Sequence, residues 1–349
     1  MRLGPVASNP IELIAVKANL FPRPLMDTQM AFTLARLVMV GTKLGVYDAL
    51  AAGPRTAQQV AEDIETDPAA TEKLLFALAG AGYTRAVDGG YELTAVSRKW
   101  LVSDSKSSLG DKLLFQFLEW DLMERAEDYV RTGEPLEIHS AGGLGEADWD
   151  LYQRGMLSMA KALAGEAVRR MPVPKGATTM LDIGGSHGYF SVGLCRKHAG
   201  LTSEVLDLPE AIAKAAPLLA AENMGERVAH VADDALTRDL GTEAYDLVLI
   251  ANLVHHFSER ENRDLAGRVA RALRPDGVFA ILDATRPRTP KEAGQLGALL
   301  EFYFSLTSQS GTWSVQEMAG WQQDAGLSAK RSIGMRTIPG VVIQAAVKN

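Results

Sequence analysis

Residues 179–188 read TMLDIGGSHG, and this stretch decides the fold of the C-terminal half. The run from Thr179 to Ile183 predicts a buried strand and residues 190–195 predict a helix, so the glycines lie in a strand-to-helix turn. Glycine has no Cβ, which lets the backbone turn sharply and come close to a ligand. The turn therefore predicts a nucleotide-type binding site, although the same glycines could serve packing alone.

After residue 174 short apolar runs alternate with helical segments, which is typical of repeated βα units. The predicted fold class is α/β, with a doubly wound, Rossmann-like sheet of seven mainly parallel strands. Only residues 338–340 separate the last two strands, too few for a crossover helix, so we expect an antiparallel hairpin at one edge. The predicted strands are residues 179–183, 203–206, 229–232, 246–250, 278–283, 332–337 and 341–347.

Residues 28–171 predict mainly helices. Within them, helix starts at Thr56 and Asp67 precede a predicted hairpin at residues 83–94, an order that resembles a winged helix. Many winged helices bind DNA, but between residues 53 and 102 five basic residues face seven acidic ones. This charge favours a structural or dimerising role for the module over DNA binding.

The composition is that of a soluble globular protein, with 47% hydrophobic and 23% charged residues. A formal net charge of −7 gives no overall positive field that would attract a nucleic acid. Apolar runs stay short of the ~18 residues of a spanning helix and no secretion-signal pattern is visible, so we expect a cytoplasmic protein without membrane contact. Cys195 is the only cysteine, which excludes an intramolecular disulfide and a thiolate metal cluster.

Carboxylates follow the next two predicted strands. Asp207 ends the second strand about 20 residues after the glycine turn, where doubly wound folds hold the two hydroxyls of a ribose. Asp233 and Asp234 end the third strand and are suited to the exocyclic amine of an adenine ring. For Asp234 the alternative is a helix N-cap. The strand ends together predict a cofactor that contains a ribose and an adenine.

Four motifs occur in chain order: DIGGSHG at residues 182–188, LDLPEAI at 206–212, VADDAL at 231–236 and NLVHHF at 252–257. Their succession resembles the plant-type O-methyltransferases, such as the caffeic acid and acetylserotonin enzymes, a class I family that includes bacterial members. The resemblance covers nearly the whole chain and implies S-adenosyl-L-methionine as the cofactor, a small-molecule substrate and a homodimer. It implies a helical, winged-helix-like dimerisation domain at residues 1–110, a helical linker lining the substrate cavity at 111–174, and a cofactor-binding catalytic domain at 175–349.

The resemblance also assigns roles to individual residues. His255 is implied as the general base that takes the proton of an acceptor hydroxyl, and Asp283 as the carboxylate that orients it. Imidazole suits this task because its intrinsic pKa is near ~6.5. The implied cofactor-binding residues are Asp182, Gly184, Gly188, Asp207, Leu208, Asp234, Ala235 and Asn252. The implied substrate-pocket residues are Tyr152, Met156, Met159 and His256.

Some positions depart from the family pattern. Ser186 and His187 replace small residues of the glycine motif, His256 stands where plant members place an aspartate, and a second acid expected beside the base aligns with Thr312. The acceptor is therefore open between oxygen and carbon, with oxygen favoured because the base and its orienting carboxylate are both present. Another S-adenosylmethionine-dependent reaction on the same fold is a further alternative. Met, Phe, Tyr and Trp around the pocket indicate an aromatic or polyketide-like acceptor.

Other functions fit parts of the sequence. GGSHG also matches the G-x-S-x-G elbow of α/β-hydrolases, with Ser186 as nucleophile, but the helical region upstream lacks the strands that precede such an elbow. A nicotinamide dehydrogenase would need glycine in place of Ser186. A DNA-binding regulator would need a basic winged helix. The adjacent His255 and His256 predict no metal site, because neighbouring residues on a helix point apart and no third ligand is evident.

Overall fold

The structure, a computed structural model, describes residues 4–136, 138, 144–338 and 340–349. The chain divides into two compact units between Phe117 and Leu118. The finer division at residues 110 and 174 stays a prediction. Within the described part of the chain, no helix combines the length and the apolar character that crossing a membrane requires.

The first unit is mainly helical. Its helices are α1 (Pro10–Lys17), α2 (Arg23–Leu25), a π-helical turn (Met26–Met30), α3 (Ala31–Leu44), α4 (Val46–Ala49), α5 (Ala57–Asp63), α6 (Pro68–Gly80), α7 (Ala95–Trp100) and α8 (Gly110–Glu124), the last of which continues into the second unit. The side chains of Thr56 and Asp67 cap α5 and α6, which confirms both predicted helix starts.

The predicted hairpin of this unit is confirmed. Strand β1 (Thr84–Val87) pairs antiparallel with β2 (Gly90–Leu93). The turn between them contains Gly89, whose φ of +87° lies in the left-handed region that favours glycine. The hairpin packs against a helical core that includes the fully buried Leu75 and Leu78. The winged-helix assignment of this arrangement stays a prediction.

The second unit is an α/β sheet with its helices. The strands are β3 (Thr179–Ile183), β4 (Thr202–Asp207), β5 (Val228–Ala232), β6 (Tyr245–Ala251), β7 (Leu273–Ala284), β8 (Ser328–Ala329), β9 (Ile333–Gly334) and β10 (Val341–Val347). The helices are α9 (Ala126–Thr132), α10 (Glu146–Arg170), α11 (Tyr189–Lys197), α12 (Pro209–Ala220), α13 (Glu259–Ala272), α14 (Pro290–Thr307) and α15 (Val315–Asp324), with 3₁₀ turns at Gly225–Arg227 and Val254–His256.

The strands form one sheet in the order β5-β4-β3-β6-β7-β10, and β8 and β9 both pair with the outer side of β10. Strands β3 to β7 are parallel, whereas β10 is antiparallel to β7. From β3 the chain builds outward through β4 and β5, and from β6 it builds in the opposite direction. The prediction of a doubly wound α/β sheet with an antiparallel edge is confirmed.

Two details of the strand prediction are wrong. The strand predicted at residues 332–337 is reduced to β9, because the backbone N–H groups of Arg336 and Thr337 donate to the carboxylate of Glu166, at 2.9 and 2.8 Å, rather than to a strand. Strand β8 has only two residues, too short for a periodic pattern, and the sequence does not predict it. The sheet therefore has eight strands, of which β8 and β9 lie one after the other along the outer side of β10. Residue 339 of the predicted turn lies outside the described residues.

Both faces of the sheet are buried. Alternate residues of β3 point to opposite sides, so that Leu181 and Ile183 join one core cluster and Met180 joins the other. Helices α13 and α15 contribute to the first cluster, and α10 and α11 to the second. Because helices cover both faces, the carboxyl ends of the strands are where side chains can meet a ligand.

Candidate active site

The residues predicted to bind a ligand follow strand ends at the carboxyl edge of the sheet. The chain leaves β3 and β6 in opposite directions, so the gap between these neighbouring strands is the topological switch point. Backbone hydrogen bonds continue the register past the strand ends, from Gly184 N–H to Leu206 O at 2.7 Å and from Asn252 N–H to Leu282 O at 2.8 Å. The glycine turn therefore lies beside the end of β4, and Asn252 beside the end of β7.

Asp207 holds the glycine turn from the end of β4. Its Oδ2 accepts the N–H of Ser186 and its Oδ1 accepts the N–H of Leu208, both at 2.8 Å. Burial raises the pKa of this carboxyl to about 6, so it is ionised at neutral pH. Each carboxylate oxygen keeps a further lone pair. Asp207 therefore has the two acceptor positions that the hydroxyls of a ribose require.

Asp182 lies beneath the turn and is 1% exposed. Its Oδ2 accepts the hydroxyl of Ser191 at 2.6 Å, and that hydroxyl contacts the hydroxyl of Ser203 at 2.8 Å. Burial raises the pKa of Asp182 to about 7, and the charge of Asp207 adds to this shift. Its Oδ1 has no hydrogen-bond partner within the described part of the chain. A buried acceptor of this kind can serve a donor group of a ligand or an ordered water.

Backbone conformation and space both require the glycines of the turn. Gly184 and Gly188 have φ angles of +66° and +69°. A Cβ on Gly184 would lie 2.6 Å from the side chain of Leu253, and one on Gly188 would lie 3.1 Å from that of Leu219. Packing therefore accounts for part of the glycine pattern, beside the close ligand approach that the sequence predicts.

Ser186 is not arranged as a hydrolase nucleophile. Its hydroxyl donates to the side-chain oxygen of Gln153. The imidazole Nε2 of His230 contacts the backbone oxygen of Ser186, at 2.7 Å, rather than its hydroxyl. A nucleophilic serine needs a base at its hydroxyl group. The geometry therefore does not support the hydrolase interpretation.

The other predicted cofactor residues have different surroundings. Oδ1 of Asp234 accepts the N–H of Leu236 at 2.8 Å and so stabilises the turn after β5, but no helix follows, so the helix N-cap alternative is wrong. Ala235 is buried in the core, whereas Leu208 and Asn252 are exposed. Asn252 has a φ of +52°, which is uncommon for a residue other than glycine and frequent at functional sites.

His255 and Asp283 form a buried pair. The Nδ1 atom of His255 lies 2.9 and 3.0 Å from the two carboxylate oxygens of Asp283. The rings of His256 and Phe304 pack against His255, with centroid distances of 4.1 and 4.4 Å. When Nδ1–H donates to the carboxylate, Nε2 keeps its lone pair. His255 is therefore oriented to accept a proton at Nε2.

The local structure around His255 differs from the prediction. The sequence predicts both histidines on a helix, but His255 lies in the 3₁₀ turn Val254–His256, and α13 begins only at Glu259. The backbone oxygen of Val254 accepts the N–H of Phe257 at 3.3 Å within the turn and, from a distant segment, the indole N–H of Trp313 at 2.9 Å. A tertiary contact therefore adds to the local hydrogen bond of this turn.

The structure places an acid, Glu301, beside Thr312, and the sequence pattern does not indicate this contact. The hydroxyl of Thr312, which is 2% exposed, donates to a carboxylate oxygen of Glu301. Glu301 lies one helical turn before Phe304 in α14, and Phe304 packs on His255. Glu301 is 11 residues from Thr312 in the chain and belongs to no motif. Phe304 is likewise absent from the predicted set.

The predicted pocket residues Tyr152, Met156 and Met159 lie on α10, where spacings of four and three place them on one face, and all are half-buried. Burial raises the pKa of Tyr152, and the negative charges of Asp207 and Glu119 contribute. Tyr152 therefore lies near the predicted ribose acid. Among the described residues, no three His, Cys, Asp or Glu side chains are arranged to hold a metal ion.

Fold and site together define a class of protein. A doubly wound sheet with a glycine turn and an ionised carboxylate at its switch point is the arrangement of α/β enzymes that bind a nucleotide-type cofactor. The buried His255–Asp283 pair at the same edge adds a group able to move a proton.

Comparison with known families identifies the family. Residues 124–328 match the model of the O-methyltransferase domain, and residues 26–103 match that of the O-methyltransferase dimerisation domain. The chain belongs to the O-methyltransferase family. The predictions of the family, of a methyltransferase and of S-adenosyl-L-methionine as its cofactor are thereby confirmed, and the dehydrogenase alternative is set aside.

Individual relatives agree with this assignment. The chain is 26% identical to the 3-hydroxy-5-methyl-1-naphthoate 3-O-methyltransferase of Streptomyces sahachiroi, over 89% of this chain and 91% of the relative. It is 26% identical to the O-demethylpuromycin-O-methyltransferase of Streptomyces alboniger, over 88% and 83%. The crystal structure of human N-acetylserotonin methyltransferase with SAM has the same fold, with a TM-score of 0.82, 17% identity and coverage of 99% and 100%.

Proposed function

We propose that this enzyme transfers the methyl group of S-adenosyl-L-methionine to a hydroxyl group of a small aromatic or polyketide-like molecule. The observation that carries the proposal is the buried His255–Asp283 pair at the cofactor edge of the sheet. Two relatives support this acceptor class, since one is named for O-methylation of a hydroxynaphthoate and the other for O-methylation of O-demethylpuromycin.

The residues at the sheet edge suit this cofactor. Asp207 would accept the ribose hydroxyls, since it is ionised and keeps one free lone pair on each oxygen. Asp234 would accept the adenine amine with its second oxygen, while its first caps the turn. The glycine turn with Asp182 underneath would lie close to the cofactor, with Leu208, Ala235 and Asn252 around it. When bound, the cofactor supplies an electrophilic methyl group on a positively charged sulfur.

His255 would act as the general base. Its Nε2 takes the proton of the acceptor hydroxyl, and Asp283 stabilises the positive charge that the imidazole gains. The transferred methyl group must lie in line with the acceptor oxygen, so much of the remaining acceleration comes from holding the acceptor in place. Tyr152, Met156 and Met159 of α10, with His256 beside the base, would form the walls that hold it.

Glu301 would take the place of the second acid that the sequence lacks at residue 312. Its carboxylate is fixed by the hydroxyl of Thr312. Both residues approach the His255 region, Glu301 through its helical neighbour Phe304 and Thr312 through the adjacent Trp313. A carboxylate at this position would help to stabilise the charge that develops at the site during transfer.

A homodimer is part of the proposal. Ten of the sixteen large apolar side chains that are exposed in the described chain lie between Val6 and Leu44. An apolar surface of this kind is expected to be buried against a second copy. The match of residues 26–103 to a dimerisation domain supports this arrangement. The proposed location is the cytoplasm, on composition alone, and the net charge of −7 disfavours a nucleic-acid partner.

An acceptor screen tests the proposed reaction. Purified protein is incubated with methyl-labelled S-adenosyl-L-methionine and a library of phenolic and polyketide-like compounds, and mass spectrometry locates the added methyl group. We expect the methyl group on an oxygen atom. Transfer only to carbon or nitrogen would contradict the proposal.

The base is tested with the acceptor that this screen identifies. His255→Ala is expected to lower the rate of transfer at least ~10²-fold, in the range for loss of a general base, with calorimetric affinity for S-adenosyl-L-homocysteine unchanged. His198→Ala is the matched control, because it also removes an imidazole of the same unit, but at the C-terminal end of α11, away from the carboxyl edge of the sheet. Equal losses in both variants would show that His255 has no special role.

A further inference from the structure

The two side chains that distinguish this glycine turn both contact α10. The hydroxyl of Ser186 donates to the side-chain oxygen of Gln153, which is 1% exposed. The ring of His187, which is 6% exposed, hydrogen-bonds the backbone of Met156. Two neighbouring residues of the turn are thus bound to one helix through buried contacts.

The tautomer of His187 follows from its partners. Its Nδ1 accepts the N–H of Tyr189 at 3.1 Å, so the ring donates through Nε2 to the oxygen of Met156. Burial lowers the pKa of His187 to about 4, which keeps the ring neutral at physiological pH. A neutral ring with one accepting and one donating nitrogen satisfies both contacts at once.

All polar atoms of Ser186 are engaged. Its N–H donates to Asp207, its backbone oxygen accepts from His230 at 2.7 Å, and its hydroxyl donates to Gln153. Its φ of +51° is a strained conformation for a residue other than glycine, so the surrounding contacts must hold it there. Ser186 therefore connects the predicted ribose acid directly to α10.

The same part of α10 carries the predicted acceptor-pocket residues. Tyr152 precedes Gln153 directly, and Met156 contributes both its side chain to the pocket face and its backbone oxygen to His187. Further along, Ala160 and Ala164 are buried in the core cluster that includes α11, the helix that begins where the glycine turn ends. A displacement of the turn would therefore be passed to the pocket wall.

We propose that Gln153, Ser186 and His187 are positioning residues that fix the acceptor-pocket face of α10 to the cofactor turn, so that the cofactor orders the site where the acceptor binds. The inference rests on the proposed function. It makes the two binding sites cooperative, because a ligand held by Asp207 also fixes the Ser186 N–H and, through its hydroxyl, Gln153. Neither Gln153 nor Ser186 needs to touch a reacting atom.

Hydrogen exchange of the full chain tests this coupling, with S-adenosyl-L-homocysteine as the probe. In the wild-type protein we expect the probe to slow exchange of the amides of residues 150–160 at least ~5-fold, the lower end of typical coupling between sites. Ser186→Gly removes the hydroxyl at a φ that suits glycine, so the variant should fold. It should keep probe-dependent protection of residues 182–188 and lose that of residues 150–160.

Two further variants separate coupling from general stability. Gln153→Leu introduces a side chain of similar volume but removes the acceptor of the Ser186 hydroxyl. This variant should therefore also lose probe-dependent protection of residues 150–160. Ser158→Ala is the matched control, because it also removes a buried hydroxyl of α10, but that hydroxyl donates to Gly155 O within the helix, at 2.9 Å. It should behave like the wild type. Unchanged protection of residues 150–160 in Ser186→Gly and Gln153→Leu would overturn the coupling.

Calorimetry on the wild type distinguishes this failure from a failure of the proposed function. If S-adenosyl-L-homocysteine does not bind, the proposed function and the coupling both fall. If it binds and protects residues 182–188 but leaves residues 150–160 unchanged, only the coupling is wrong.

Discussion

Asp207→Ala should weaken cofactor binding strongly without unfolding the protein. In the native structure the carboxylate accepts the N–H groups of Ser186 and Leu208 at 2.8 Å, and one lone pair on each oxygen remains for a ribose hydroxyl. A hydrogen bond to a charged group contributes about 1.5–3 kcal/mol, so losing two costs at least about 3 kcal/mol. This corresponds to a rise of ~150-fold in the dissociation constant.

Isothermal calorimetry with S-adenosyl-L-homocysteine measures this loss, and circular dichroism monitors the fold. Glu210→Ala is the control, because it removes an exposed carboxylate only three residues along the chain, in the first turn of α12. Its dissociation constant should stay within ~3-fold of the wild-type value, as for a solvent-exposed charge. A folded Asp207→Ala protein with wild-type affinity would refute the assignment of the ribose acid.

The same carboxylate predicts a pH dependence. Burial raises the pKa of Asp207 to about 6, and only its ionised form can accept both hydroxyls. Lowering the pH from 7 to 5 should therefore weaken wild-type binding ~10-fold through protonation of this group. Asp207→Asn cannot be ionised and should show no such change. An equal pH dependence in both proteins would assign the titration to another residue.

Three further predictions concern other groups. Glu301→Gln should lower the rate of methyl transfer about tenfold, because the carboxylate fixed by Thr312 is lost, while affinity for S-adenosyl-L-homocysteine is retained. The rate is measured with the acceptor from the screen. An unchanged rate would exclude a role of Glu301 in the transfer. Burial raises the pKa of Asp182 to about 7, so the stability linked to its protonation is lost as the pH rises through that value. Between pH 8 and pH 6.5 the free energy of unfolding without ligand should rise by about 1 kcal/mol, which raises the apparent Tm by ~2 °C. In a thermal melt, Asp182→Asn should remove this difference. Hydrogen bonds from the backbone N–H of Arg336 and from Thr337 lower the pKa of Glu166 to about 2. The ionised Glu166 therefore stabilises the folded state above pH ~4.3, and this contribution is lost as the pH falls towards 2. Glu166→Gln should lower the Tm at pH 7 and reduce its fall on acidification, and a variant with the wild-type acid profile would contradict this.

The parts of the fold that depend on neighbours in the chain follow from the sequence. The strand Thr179–Ile183 has the predicted bounds, because a buried strand bounded by glycine leaves a local apolar signal. The hairpin of β1 and β2 is recognisable for a similar reason. The pairing of His255 with Asp283 required the family resemblance, since the two residues are 28 apart and no local pattern joins them.

Contacts between distant segments are decided only in the tertiary structure. Glu301 of α14 contacts Thr312 in the loop that follows this helix, and Gln153 reaches Ser186 across 33 residues. The shortened strand β9 depends on Glu166, 170 residues from Arg336.

The glycine turn, most of the strands and helices, and the residue types of the candidate site follow from the sequence alone, because these depend on short-range periodicity and on motifs. The tertiary structure decided which side chains complete the site and which helix is bound to the cofactor turn. Those contacts form only after the faces of the sheet are covered, and packing then brings polar groups together whose pairing no local pattern encodes.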